Sequence, residues 1–128
     1  MKRQKVATSA PWAATVGYSR AVRAGDHVFV SGTAPVSDNG EIVAPGDAYR
    51  QAQRCLEIIV GALAEAGAAP ADVVRTRMFV RRPEDWEAVG RAHGEIFLDV
   101  KPATTMVFTD FIHADMLVEI EADALVQH

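Results

Sequence analysis

Leu117-Val118-Glu119-Ile120-Glu121-Ala122-Asp123-Ala124-Leu125-Val126 is the cleanest alternating stretch of the 128-residue chain. Successive side chains of a strand leave opposite faces, so Val118, Ile120, Ala122, Ala124 and Val126 share one face and Glu119, Glu121 and Asp123 the other. The apolar face needs cover. Two helical stretches upstream supply it.

From Asp47 the apolar positions take helical spacing. Ala48, Ala52, Cys55, Ile59, Ala62 and Ala66 form one stripe, widened by Leu56 and Leu63. Asp47 is suited to cap the first turn, and Gly67 is the matching stop signal. A second helix starts at Pro83, whose missing N–H costs nothing in a first turn. Trp86, Val89, His93, Ile96 and Phe97 fall on one side of it, and Lys101-Pro102 ends it.

Around these helices lie further strands. Residues 20–24 lead through Gly25-Asp26 into His27-Val28-Phe29-Val30-Ser31, which reads as a hairpin. Ser37-Asp38-Asn39-Gly40 and Pro45-Gly46 are turn signals, with a short strand possible at Glu41 to Val43. Val73 to Val80 alternates and is rich in β-branched residues, and a further strand runs near Ala103 to Phe108. The order β-β-α-β-α-β-β implies an α+β fold, one mixed sheet with both helices on one face. No repeat or linker divides residues 1–128, so one domain is expected. If Val74, Thr76, Met78 and alternate hairpin residues point away from the helices, the uncovered face is a substantial apolar patch of the kind that marks a subunit interface.

Thirteen basic and 17 acidic side chains leave a formal charge of -4, which offers no cationic field for a nucleic-acid backbone. The basic start Met1 to Val6 has no apolar run after it, and no helical stretch is long enough to span a bilayer, so a cytoplasmic location without membrane contact is expected. Cys55, the lone cysteine, reads as a small buried hydrophobe. Histidines 27, 93, 113 and 128 have no metal-ligand spacing, and neither a phosphate loop nor a dinucleotide fingerprint is present. His93, on the buried side of its helix, is expected to be packed or hydrogen-bonded rather than catalytic.

Two places have chemical potential. Ser31-Gly32 at a strand end offers a hydroxyl and approachable backbone N–H groups that suit an oxygen anion; a plain turn is the competing reading. Glu119 within a strand is open to partial desolvation, which raises a carboxyl pKa and suits it to proton transfer; a solvated acidic face with Glu121 and Asp123 is the alternative.

Taken in order, these pieces resemble the RidA/YjgF/YER057c (L-PSP) family over nearly the whole chain. They are Tyr18, Val30-Ser31-Gly32 with Pro35, the long helix from Asp47, Ala66-Gly67, Asp72 to Thr76 before Phe79-Val80, Pro102-Ala103, and Val118 to Ala122. The resemblance implies a chorismate-mutase-like subunit, with three copies packed as a homotrimer around a central barrel and a small-molecule pocket at each interface. It implies hydrolysis of reactive enamines or imines such as 2-aminoacrylate, with no metal or organic cofactor. Carried over by position, the pocket contains Tyr18, Ser31, Gly32, Thr104, Thr105 and Glu119, with Glu119 activating water.

In those relatives an arginine follows the Pro-Ala pair and clamps the substrate carboxylate. Here that residue is Thr104, and the spacing to Glu119 is unchanged. The resemblance therefore implies a divergent member: a hydrolase or deaminase of altered specificity, preferring a less anionic compound. A metabolite-binding or protein-interaction trimer without turnover is the alternative. Arg20, Arg75 and Arg77 are the strand arginines available to replace the clamp. The family's ribonuclease label finds no support in the acidic balance.

Overall fold

The computed structural model describes residues 2–128. Six strands form one sheet in the order β1-β2-β3-β6-β4-β5. They are β1 (Arg3–Val6), β2 (Ala21–Ala24), β3 (His27–Thr33), β4 (Val73–Val80), β5 (Ala103–Phe108) and β6 (Val118–Leu125). Only β4 and β5 pair in parallel; every other neighbour is antiparallel. The helices are the single turn α1 (Ala13–Val16), the long α2 (Ala48–Glu65) and α3 (Trp86–Phe97). A parallel pair needs a crossover, and α3 provides it between β4 and β5.

The α2 stripe is buried as its spacing predicts, and Cys55 has no exposed surface. Asp47 caps the helix by accepting from the Arg50 N–H at 3.0 Å. Gly67 takes the left-handed conformation, φ 82°, that ends it. Gln51 is also fully buried on that stripe. It donates to the Asp115 carbonyl at 2.9 Å and accepts from the Leu117 N–H at 2.8 Å, pinning the entry of β6 to α2. Val118, Ile120, Ala122 and Ala124 face the helices in one core with Val28, Val30, Leu56, Ile59, Val89 and Phe97.

Four expectations need correction. β1 and α1 were not expected: Arg3, Gln4 and Lys5 are exposed and only Val6 is buried, so pairing to β2 makes the strand, not its own pattern. At Glu41 to Val43 there is only a single bridge, Val36 to Ile42. Thr76 and Met78 point toward the helices, because a bulge at Val74 shifts the β4 register and leaves Val74 exposed. Trp86 is 53% exposed, because it is the first residue of α3, directly after a 3-10 turn over Pro83–Asp85, and the buried stripe begins only one turn later with Val89, Ala92 and Phe97.

The sheet face away from the helices is therefore mixed. Phe29 and Val107 are exposed there, with half-buried Phe79 between charged neighbours. Arg77 reaches Glu121 at 3.1 Å and Asp123 at 3.3 Å across the strands. No helix among the described residues is long and apolar enough to cross a membrane.

Candidate functional site

The β3–β6 ladder breaks register between Val30 and Thr33, which frees Ser31 and Gly32 from regular pairing. Their groups turn to the chain before β2 instead. Arg20 Nη2 donates to the Gly32 carbonyl at 2.7 Å, and the Ser31 hydroxyl donates to the Ser19 carbonyl at 2.7 Å. Glycine at position 32 has a direct reason: a Cβ there would lie 3.0 Å from Glu119 Oε1, a tight contact that the carboxyl would have to shift to relieve.

Tyr18, Arg20, Gly32 and Glu119 line one cavity of about 240 Å³, walled further by Trp12 and by Arg54 of α2. Burial pushes the Glu119 carboxyl above the usual glutamate range, the Arg20 cation pulls it back in part, and Glu121 adds a smaller upward push. Arg20 is 8% exposed, and burial lowers its pKa while Tyr18 and Glu119 favour its charge. Its Nε is buried with no partner among the described residues. The guanidinium carbon stands 5.8 Å from the Tyr18 ring centroid. A proton-exchanging carboxyl beside a fixed cation can hold and activate a small polar molecule.

Of the residues expected at the site, the structure brings Tyr18, Gly32 and Glu119 together. Ser31 adjoins them but spends its proton on Ser19. Thr104 and Thr105 lie elsewhere, on the exposed edge strand β5, two strands from Glu119 in a sheet where each step is about 4.8 Å. Thr104 is in register with Thr76 and shares its helix-side face, whereas Glu119 alternates with the core residues Val118 and Ile120. Of the three arginines expected from the strands, only Arg20, which lies just before β2, lines the cavity. Alternation places Arg20 on a strand flank, but sequence has no signal for the bulge that aims it at Gly32.

Behind Thr104 lies a polar chain. His93 Nε2 is 2.8 Å from Thr76 Oγ1, which is 2.9 Å from Thr104 Oγ1. The His93 ring packs on Phe97, centroids 4.7 Å apart, and burial holds its pKa below the usual histidine range. Its packed and hydrogen-bonded setting agrees with the expectation for that histidine. No group of three or more metal-ligating side chains gathers among the described residues.

The fold and site together define an α+β protein with one mixed sheet and a half-buried carboxyl and a buried arginine sharing a cavity. The family model described as Endoribonuclease L-PSP matches residues 7–126, and the chain belongs to that family, the RidA/YjgF family. A crystal structure of a YjgF/YER057c/UK114 family member from Mycobacterium tuberculosis is similar at a TM-score of 0.87 and 41% identity, covering 98% of this chain and 100% of that one. An uncharacterized protein of Streptomyces coelicolor is 38% identical over 94% of this chain and 90% of its own length. The 3-aminoacrylate deaminase RutC of Acinetobacter baylyi is 34% identical over 84% of this chain and 85% of its own.

Proposed function

We propose that the protein is a cofactor-independent hydrolase that deaminates a small enamine, imine or related carbonyl compound, in pockets completed between three copies of the chain. The observation that carries this reading is the Glu119 carboxyl, held half-buried against Gly32 with Arg20 and Tyr18 in one cavity. Similarity to a relative named 3-aminoacrylate deaminase supports the reaction class.

The chemistry needs little beyond a placed proton carrier. Glu119 takes a proton from water as the oxygen adds to the C=N carbon and passes it to the nitrogen, giving a carbinolamine; it then takes the carbinolamine hydroxyl proton and delivers it to the same nitrogen as the C–N bond breaks. Ammonia leaves and a carbonyl remains, so imine plus water becomes ketone or aldehyde plus ammonia. A carboxyl whose pKa is raised by burial suits both halves of that cycle.

The distribution of groups supports assembly. Thr104 and Thr105 on the β5 edge share no cavity with Glu119 of their own chain, so a pocket holding all of them needs a neighbouring copy. Exposed Phe29 and Val107 on the open sheet face support trimer packing in the chorismate-mutase-like manner.

Specificity departs from 2-aminoacrylate. Thr104 adds no charge, Arg20 donates to the Gly32 carbonyl, and Arg54 in the cavity wall is paired with Glu57 and Asp38, so each cation near the site already has a partner. Ammonia release from freshly generated 2-aminoacrylate and from an uncharged imine tests this. The wild type should turn over the imine faster, and Thr104→Arg should shift preference toward 2-aminoacrylate by at least about tenfold, as expected for adding a charged clamp. No turnover of either compound by the wild type contradicts the proposal.

A further inference from the structure

We infer that Thr104 recognises an N–H group of the ligand, acting as a hydrogen-bond acceptor whose orientation His93 fixes from behind through Thr76. The inference rests on the pocket proposed above and assigns the ligand chemistry at its β5 wall.

Hydrogen-bond accounting gives the chain a direction. The Pro102 carbonyl can only accept, and Thr104 Oγ1 lies 3.1 Å from it, so the single hydroxyl proton of Thr104 is spent there. The 2.9 Å contact with Thr76 then takes its proton from Thr76. With that proton committed, the 2.8 Å contact between Thr76 and His93 has Nε2–H as donor. The wire runs from imidazole to Thr76 to Thr104 to the Pro102 carbonyl. Burial favours the neutral ring, which carries its one proton on Nε2 and leaves Nδ1 bare.

The two ends of the wire differ in access. Thr76 is completely buried, so its hydroxyl has no water to exchange with and keeps the sense His93 imposes. Thr104 is exposed on the edge strand. Its oxygen accepts from Thr76 and keeps one further lone pair, with no proton to offer outward. A guanidinium at that position would donate to a carboxylate; this threonine does the reverse. A carboxylate would meet a lone pair, whereas an amine, amide or imine N–H finds a partner. His93 touches no ligand in this scheme and is a positioning residue.

The test uses two stable probes that differ in N–H groups, propionamide and N,N-dimethylpropionamide, titrated into the intact assembly and followed by NMR with nitrogen-labelled histidine. In the free protein His93 Nε2 should resonate as a protonated nitrogen and Nδ1 as a bare one. Propionamide should bind roughly fivefold to tenfold tighter than its dimethyl analogue, the size of one neutral hydrogen bond. Thr104→Val should erase that ratio. His93→Phe should reduce it, and His93→Gln, whose amide N–H can replace Nε2–H, should restore it.

A bare Nε2 in the free protein, equal affinities for the two probes, or binding of neither overturns the inference. So does a His93→Phe variant that melts earlier yet keeps the probe ratio, since that is a purely structural histidine. Absence of imine turnover by the wild type strikes the proposed reaction instead, and the probe ratio still decides the role of Thr104 independently.

Discussion

Glu119 holds its proton to higher pH than an exposed glutamate because burial penalises the charged form more than Arg20 relieves it. Its folded pKa lies above its unfolded value, so the stabilisation linked to it is full below the ordinary glutamate range and is lost as pH rises through the folded pKa. Glu119→Gln, which keeps the shape and removes the charge, should therefore melt higher than wild type at pH 8, with the gap closing toward pH 4. Thermal melts at the two pH values check this; a lower melting point at pH 8 contradicts it. Alternation along β6 left two readings of this residue open, a desolvated carboxyl or one of three solvated acids. The three acids in fact divide: Glu121 and Asp123 hold Arg77, while Glu119 turns against Gly32. That division depends on a bulge in β3, a strand 85 or more residues earlier in the chain, and no local pattern encodes it. Arg20 was hidden for the same reason, as one of three equivalent strand arginines until the Gly32 carbonyl singled it out.

At the level of elements, what the chain states locally was legible. β4, β5 and α2 lie where their period and end signals place them, because alternation, helical stripes, an Asp cap and a terminal Gly are local physics. Removing the cap by Asp47→Ala should cost about 1 kcal/mol, read by denaturant titration. Gln51 is the more telling position, a polar residue on the buried stripe that the hydrophobic pattern passes over. Gln51→Leu improves that pattern, yet it should destabilise by about 1–3 kcal/mol, because the Leu117 N–H and Asp115 carbonyl lose their partner. A Leu variant as stable as wild type would mean that other groups satisfy them. β1 was illegible because three of its four side chains are exposed and β2 alone makes it a strand. The face of β4 is not legible locally, because the bulge at Val74 inverts the alternation that would otherwise run through it.

The whole molecule raises the question of where a ligand site can close. One chain places the Glu119 cavity and the Thr104 wall on different parts of the sheet, so in the proposed trimer each pocket draws on two copies. Charge at the open face should break that assembly. Val107→Glu, at an exposed site beside Phe79, should leave its fold intact while sedimentation reports a 13.8 kDa species in place of three chains together. The measurement that reaches the central claim most directly is ammonia release from an uncharged imine by mixed trimers. Glu119→Gln and Thr104→Trp, each assayed alone, should be inactive, one lacking the proton carrier and the other with its pocket wall filled. Trimers co-assembled from both should regain activity, since some interfaces then join an intact Glu119 to an intact Thr104. Full activity in Glu119→Gln alone, or mixed trimers as inactive as their parents, would contradict a shared pocket that works through Glu119.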